Sequence, residues 1–229
     1  LILLAGKTFP DISKTEGDFD DWIARGLGDQ HPLLRMDARE AVMLPAPSEL
    51  AGVVISGSHA MVTDRLPWSE QAAHWLKQCV DAQLPVLGIC YGHQLLAHAC
   101  GGIVDYHPDG IEIGTRFIHL SENADQDLLF SDLPVNFPAQ LVHSQSVRKL
   151  PDNAVLLASG EHEKHQAFRI GKHAWGVQFH PEFSAQAMRG YIQQMEKTLI
   201  EKHCDVITLS HGVEETPDTG KLLNRFARL

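Results

Sequence analysis

The sequence predicts an α/β protein with a mostly parallel central sheet. Apolar, β-branched segments that are typical of buried strands recur at Leu1–Ala5, Gly52–Ser56 and Pro85–Ile89. Segments with helical spacing of apolar residues, Asp18–Leu27 and Ser69–Gln83, lie between them. Strands that alternate with helices in this way form parallel βαβ units, with helices on both faces of the sheet.

The best-defined helical segment begins near Pro67 and Ser69, two residue types that favour the first turn of a helix. Its apolar residues repeat at helical spacing and share one face: Ala72, Trp75, Leu76, Cys79 and Val80. We therefore expect Cys79 to lie in the core, and also Cys100, which belongs to the next helical segment.

After Gly102 the pattern changes to short strand-like segments with little helix between them. They run roughly from Gly114 to Phe179 and predict hairpins that form an antiparallel extension of the same sheet. A long continuous helix over Ala185–Lys202 and a last amphipathic segment, Thr219–Leu229, complete the predicted elements.

Length and charge restrict the class of protein. The chain has 229 residues and no repeat or linker, so we expect one domain over 1–229, with a core over about 1–191 and a helical tail over 192–229. A net charge of −10 opposes binding to nucleic acid or to an anionic membrane. No apolar run approaches the length of a membrane span.

The cysteines and histidines give no sign of disulfides or metal. The four cysteines, Cys79, Cys90, Cys100 and Cys204, show no CxxC pairing, which predicts a reducing, cytoplasmic location. The segment HEKH at His162–His165 is not the HExxH motif and lies in a polar, loop-like stretch, so we expect no metal site. Without a P-loop or a GxGxxG motif, we expect no cofactor.

The segment GICYG places Cys90 between Gly88 and Gly92, where a predicted strand becomes a helix. A sharp strand-to-helix turn strains its apex residue and brings backbone segments close together, which favours flanking residues without a Cβ. The apex side chain then projects from the carboxyl edge of the sheet, at a helix N-terminus that favours a thiolate. Cys90 is a candidate nucleophile; the alternative is a buried structural cysteine.

The segment WGVQFHPEFS supplies candidate partners for this thiol. His180 falls at the end of the strand-like Val177–Phe179, just before Pro181, which cannot continue a central strand. Glu182 is close enough to hold one ring nitrogen while the other faces Cys90. HPE alone would also fit a turn with a surface histidine, but together with the cysteine turn it predicts a nucleophile, a base and an orienting carboxylate.

The segments GICYGHQLLAHACGG and GVQFHPE together resemble the class I (triad) glutamine amidotransferases, which include the glutaminase parts of anthranilate, carbamoyl-phosphate and GMP synthetases. The resemblance runs from about Leu1 to Tyr191. It implies a flavodoxin-like fold and a Cys90–His180–Glu182 triad. In that family, the thiolate attacks the side-chain amide of glutamine, ammonia leaves, and water hydrolyses the glutamyl thioester.

Two further segments agree with this resemblance. VVISGSHAMV is similar to the family's oxyanion loop, which implies the Gly57 amide as one donor and the Tyr91 amide as the second. LVHSQSV is similar to the loop that holds the substrate's carboxylate and amine. The resemblance thus implies substrate contacts at five residues: Ser58, Gln94, His143, Ser144 and Gln145. Two of them depart from the family pattern: Ser58 stands where glycine or proline is common, and Gln145 where one branch has an acid.

The sequence leaves three functions open. The chain beyond Tyr191 is too short for a synthetase domain, so we expect a stand-alone glutaminase-type amidotransferase that passes ammonia to an unidentified acceptor or to a separate synthase partner. The first alternative is a γ-glutamyl peptidase or hydrolase with the same triad. The second is a non-catalytic binding protein on the same fold. Catalytic motifs cannot separate the first two, because both need every triad residue.

Overall fold

The computed structural model describes residues 1–29, 31–40 and 43–229. These residues form eleven strands: β1 (Ile2–Leu4), β2 (Arg35–Asp37), β3 (Val53–Ile55), β4 (Val86–Ile89), β5 (Ile103–Tyr106), β6 (Glu112–Leu120), β7 (Asn136–His143), β8 (Gln145–Lys149), β9 (Ala154–Gly160), β10 (Ala167–Ile170) and β11 (Ala174–Val177). They also form eight α-helices: α1 (Pro10–Glu16), α2 (Phe19–Leu27), α3 (Pro67–Asp81), α4 (Tyr91–Ala99), α5 (Ala185–Gln194), α6 (Glu196–Glu201), α7 (Val206–His211) and α8 (Pro217–Phe226).

Nine of the described strands form one sheet in the order β2-β1-β3-β4-β11-β10-β9-β6-β7. The first five are parallel to one another. The other four are joined by antiparallel pairings. Only β10 and β6 are reversed, so seven of the nine run in the same direction. This confirms the predicted α/β class, with a mostly parallel sheet and an antiparallel extension. The strands β5 and β8 pair separately.

Alternating residues of the parallel strands face two different helical layers. Ile2, Val54 and Leu87 pack with side chains of α2 and α8. Leu3, Val53 and Val86 pack with side chains of α3 and α4. Because successive side chains of a strand point to opposite faces, the two clusters are the two sides of one sheet. The prediction of helices on both faces is therefore confirmed.

In the N-terminal half of the chain, α2 and α3 begin at residues whose types favour the start of a helix. Asp18 caps α2 by accepting a hydrogen bond from the Phe19 amide, and Asp21 completes a capping box. Pro67 occupies the first turn of α3. Cys79 is buried in the apolar cluster on the α3/α4 side of the sheet, as predicted. Cys100 is only partly buried and packs against the edge of that cluster, because it lies at the C-terminal end of α4 rather than on its buried face.

The prediction of one continuous helix over Ala185–Lys202 was wrong. The helix breaks at Met195, where the backbone adopts φ −95° and ψ 4° and separates α5 from α6. The break lets Leu199 reach the cluster that contains Met188 and Ile192. Burial of these side chains outweighs the helical preference of the uninterrupted segment. None of the helices within the described ranges is long and apolar enough to cross a membrane.

Candidate active site

Cys90 lies at the turn between β4 and α4, and its backbone has φ 50° and ψ −97°. A positive φ is strained for a residue with a side chain, and surrounding contacts must hold it in place. The Cys90 amide donates to the Val177 carbonyl at 2.8 Å. A Cβ on Gly88 would lie 2.4 Å from the Gly92 carbonyl oxygen, and one on Gly92 would lie 2.6 Å from the Ile55 oxygen. The two flanking glycines are thus required by close backbone approach.

His180 reaches the same place because its strand is the neighbour of β4. The strands β4 and β11 are parallel and adjacent, so Cys90 and His180, which follow their carboxyl ends, meet at one edge of the sheet. The His180 Nδ1 atom donates to Glu182 Oε1 at 2.8 Å, and both side chains are buried. Its Nε2 atom has no hydrogen-bond partner of ordinary geometry within the described residues. One nitrogen is therefore oriented and the other is available.

The electrostatics of His180 depend on two neighbours. Burial by itself lowers the pKa of the ring, but the Glu182 carboxylate and the Cys90 sulfur raise it, and together they bring the pKa to about 10. A proton on this ring is therefore stable at neutral pH when both neighbours carry negative charge. The arrangement allows proton transfer between His180 and a group bound at the thiol.

Two other cysteines lie in environments that disfavour the thiolate. Burial raises the pKa of Cys79 to about 12 and the pKa of Cys100 to about 11. Because the thiolate is the reactive form, neither is suited to nucleophilic chemistry near neutral pH. Among these three helix-associated cysteines, Cys90 is the one with an imidazole beside its sulfur.

Of the two predicted oxyanion donors, Gly57 lies beside the His180 ring and Tyr91 directly follows Cys90. Gly57 follows β3, the other neighbour of β4, and a Cβ on it would lie 3.0 Å from His180 Cε1. The Ser56 hydroxyl accepts from the Ala5 amide and donates to the Gly57 carbonyl, which fixes this loop. Neither the Gly57 amide nor the Tyr91 amide donates a hydrogen bond to another described residue. Both N–H groups are free to bind a ligand oxygen.

A cavity of about 100 Å³ adjoins Cys90, and it is lined by all five residues predicted to contact substrate. Their polar atoms are not equally free. Ser58 Oγ accepts from the Ala60 amide. Gln94 Nε2 donates to the Gln145 carbonyl at 2.8 Å and to Gln178 Oε1 at 3.0 Å. The buried Gln145 Oε1 has no partner among the described residues. Unpaired buried acceptors are uncommon, so this atom is a candidate acceptor for a ligand donor.

Three residues that sequence reasoning missed also shape the site. Thr63 Oγ1 accepts from Gln145 Nε2 at 2.5 Å and so fixes that side chain. His59 lies at the exposed rim of the cavity and stacks on Tyr191 with ring centroids 6.0 Å apart. Desolvation lowers the pKa of His59. The position of His59 directly after the oxyanion segment was a usable signal, whereas Thr63 and Tyr191 become neighbours of the site only through folding.

Comparison with known proteins agrees with this fold. The family model of glutamine amidotransferase class-I matches residues 29–199. One subunit of the glutamine-hydrolysing GMP synthase from Methanococcus maripaludis is 35% identical over 144 residues, which cover 61% of this chain and 68% of that protein. The GMP synthase of Christiangramia forsetii is 36% identical over 140 residues, 59% of this chain and 26% of that protein.

Solved structures share the fold over the whole chain. A glutamine amidotransferase from Thermotoga maritima has a TM-score of 0.73 at 23% identity and covers 100% of this chain and 96% of its own. A glutamine amido transferase from Methylobacillus flagellatus has a TM-score of 0.70 at 23% identity and covers 99% and 90%. The class of protein that the sheet and the cysteine turn define is thus an amidotransferase-like α/β protein.

The match to the family model over most of the chain shows the family as well as the fold. This chain belongs to the glutamine amidotransferase class I family. It spans about a quarter of the length of several GMP synthases that it matches: the matched region is 28% of one of these proteins and 25% of another.

Proposed function

We propose that this chain hydrolyses the side-chain amide of glutamine through Cys90, His180 and Glu182. The observation that carries the proposal is the meeting of two adjacent parallel strands: Cys90 follows β4, and His180, held by Glu182 at 2.8 Å, follows β11. The unbonded Nε2 atom supplies a proton-transfer group. Cys90, at the sharp turn between β4 and α4 that we call the elbow, supplies a nucleophile.

In the first half of the reaction, the Cys90 thiolate attacks the γ-carbonyl carbon of glutamine and forms a C–S bond. Negative charge develops on the carbonyl oxygen, where the amides of Gly57 and Tyr91 donate to it. His180 then passes its proton to the leaving nitrogen, the C–N bond breaks, and ammonia and a glutamyl thioester form. Glu182 keeps the ring oriented and stabilises its positive charge.

In the second half, His180 takes a proton from a water molecule that attacks the thioester carbonyl. The same two amides stabilise the second oxyanion, and its collapse breaks the C–S bond. Glutamate leaves, and the thiolate and the imidazolium ring are regenerated. Each step balances with water as the only co-substrate.

We assign the polar side of the cavity to the amine and carboxylate of the glutamyl group. Gln94 holds the turn that carries Ser144 and Gln145, and the unpaired Gln145 Oε1 accepts from the substrate's amine. His143 and Ser58 support this wall. A site built to pair these groups rejects analogues that lack them, because its own buried polar atoms would stay unpaired.

We propose that the ammonia acceptor is a separate synthase subunit, since the Methanococcus maripaludis relative, two thirds of which this chain covers, is named as one subunit of GMP synthase.

A γ-glutamyl hydrolase is the second candidate. Apolar side chains of Met61, Ile111 and Met195 also border the cavity, and a site that released only ammonia would not need these apolar side chains.

The four cysteines are free thiols, which supports a cytoplasmic location.

The test is hydrolysis of glutamine, γ-glutamyl dipeptides, asparagine and α-linked peptides by the purified chain. We expect cleavage of γ-glutamyl compounds only. Cys90→Ala should abolish it and His180→Ala should be nearly as severe, whereas Glu182→Gln should lose on the order of ten- to a thousand-fold. A γ-glutamyl dipeptide preferred over glutamine would favour the hydrolase. Cleavage of α-linked peptides, or equal losses at Cys90 and Glu182, would contradict the proposal.

A further inference from the structure

A buried carboxylate lies behind the cavity and has no place in the mechanism above. Glu112, the first residue of β6, is directly opposite His143, the last residue of β7, in the antiparallel ladder. Its side chain is 4% exposed and that of His143 is 1% exposed. Glu112 Oε2 accepts from His143 Nε2 at 2.9 Å and from Gln166 Nε2 at 3.1 Å.

His143 connects this carboxylate to the turn that follows β7. Its Nδ1 atom is 2.9 Å from the carbonyl oxygen of Gln145. A carbonyl oxygen can only accept, so Nδ1 carries a hydrogen. Nε2 faces a carboxylate, which also accepts when ionised. The ring can donate to both partners only as an imidazolium, and the pair is then a buried salt bridge.

The charge state of Glu112 is consistent with this geometry. Burial raises the pKa of its carboxyl, but the hydrogen bond and charge of His143, with smaller contributions from His162 and Arg116, bring the pKa below its usual value. Burial of the pair excludes water, so breaking it would leave an uncompensated charge. The ring of His162 is 6.4 Å from that of His143.

The turn from His143 to Gln145 is therefore held at several points. The Gln145 carbonyl accepts from His143 Nδ1 and from Gln94 Nε2, and the Ser144 carbonyl accepts from the His107 amide at 2.9 Å. Gln145 lines the cavity, and its buried Oε1 has no hydrogen-bond partner among the described residues. A shift of the carbonyl would move that atom away from the amine it is assigned to bind.

We infer that Glu112 is a positioning residue that, through its pairing with His143, fixes the Ser144–Gln145 turn and so sets the affinity for the glutamyl group. The inference rests on the proposed function of the same site. Glu112 is not among the residues that line the cavity at Cys90. Its loss should therefore weaken glutamyl binding and leave the nucleophile intact.

The main test measures inactivation of Cys90 by the glutamine analogue 6-diazo-5-oxo-L-norleucine, with alkylation by iodoacetamide as a probe that needs no glutamyl group. In Glu112→Ala, we expect the half-saturating concentration of the analogue to rise about tenfold or more, while the limiting rate and the iodoacetamide rate change little. Glu112→Gln should rescue binding, because its amide nitrogen, in the place of Oε2, can donate one hydrogen to a neutral His143. Its other hydrogen can go to Gln166 once that side-chain amide turns over, since Gln166 Oε1 has no partner among the described residues.

A matched control is Asp127→Ala. Asp127 is an equally buried carboxylate, with hydrogen bonds from Arg169 and Trp175 rather than from the turn. Its loss should reduce stability and leave the half-saturating concentration unchanged. If Glu112→Ala does not fold, His143→Gln replaces it: glutamine keeps a donor toward Glu112 but loses the donor to the Gln145 carbonyl, so the same rise is expected.

Nitrogen NMR of histidine-labelled protein gives a readout that needs no activity. We expect both His143 nitrogens to be protonated in the wild type and only Nδ1 in Glu112→Gln. A neutral His143 in the wild type, or an unchanged half-saturating concentration in the folded Glu112→Ala or His143→Gln variant, overturns the inference. A wild type that the analogue does not inactivate in a saturable manner overturns the proposed function instead.

Discussion

At the scale of single residues, His180 has the least ordinary environment in the site. Its ring is buried, stacks near Phe19 and Phe183, and faces Glu182 on one side and Cys90 on the other. Burial alone would make it neutral at physiological pH. The two neighbours reverse that preference, so one imidazole can hold the proton that the proposed reaction transfers.

The first prediction concerns the pH dependence of stability. The pKa of His180 in the folded protein, about 10, lies above the value of about 6.5 for an unfolded chain. Its proton therefore stabilises the fold fully below about pH 6.5, and this contribution is lost as pH rises through about 10. The wild type should exceed Glu182→Gln in free energy of unfolding by an amount that shrinks over this interval. Urea unfolding at several pH values measures it, and a difference that grows with pH would contradict the assignment.

At the scale of elements, the junction of β4 and α4 determines where the thiol lies. Neighbouring backbone fills the space beside both of its glycines. A Cβ on Gly92 would collide with the carbonyl of Ile55 in β3, and a Cβ on Gly88 would collide with the backbone of Gly92. The helix therefore starts directly against the sheet, and the thiol projects between the ends of three strands.

We predict that Gly92→Ala lowers stability by about 1–3 kcal/mol and slows alkylation of Cys90, because its Cβ would meet backbone that cannot move independently. Gly52→Ala is the control: Gly52 also adjoins β3, but a Cβ there would meet the Pro85 carbonyl at an ordinary 3.4 Å. Chemical unfolding and iodoacetamide labelling report both effects. Equal losses in the two variants would show that the elbow has no special packing demand.

At the scale of the whole molecule, the C-terminal helix closes one face of the sheet. Leu222, Leu223 and Phe226 of α8 are buried in the same cluster as Ile23 of α2 and Trp175 of β11. The ends of the described chain thus share one core. We propose that residues 1–229 unfold as a single domain, in which α8 is structural.

We predict opposite effects from two glycine-to-alanine changes at this interface. In Gly26→Ala, the new Cβ would lie 2.3 Å from Leu223 Cδ1 and 2.9 Å from Leu223 Cβ, so α2 and α8 must separate, at a cost of about 1–3 kcal/mol. In Gly220→Ala, the nearest atom is 3.9 Å away, and the gain in helix propensity should stabilise by up to about 1 kcal/mol.

Thermal and urea unfolding followed by tryptophan fluorescence and by circular dichroism check this pair of variants. If the chain is one cooperative unit, both probes shift together in each variant. Two separate transitions, of which only one responds to Gly26→Ala, would contradict the single-domain proposal.

The sequence by itself determined the elements and motifs that depend on neighbouring residues. The strands near Ile2, Val53 and Val86 follow from apolar, β-branched runs, and the elbow at Cys90 follows from its flanking glycines. Such features are local, because dihedral preference and side-chain period act over a few positions. They were sufficient to predict the α/β class and which cysteine stands at the elbow.

Only the tertiary structure decided the features that join distant residues. The pairing of Glu112 with His143, the break at Met195 and the docking of α8 on Gly26 have no local signature. Each depends on burial of a group that the sequence pattern alone leaves exposed or ambiguous. Because a buried polar group must find its partner wherever the fold brings one, such networks become visible only when the chain is folded.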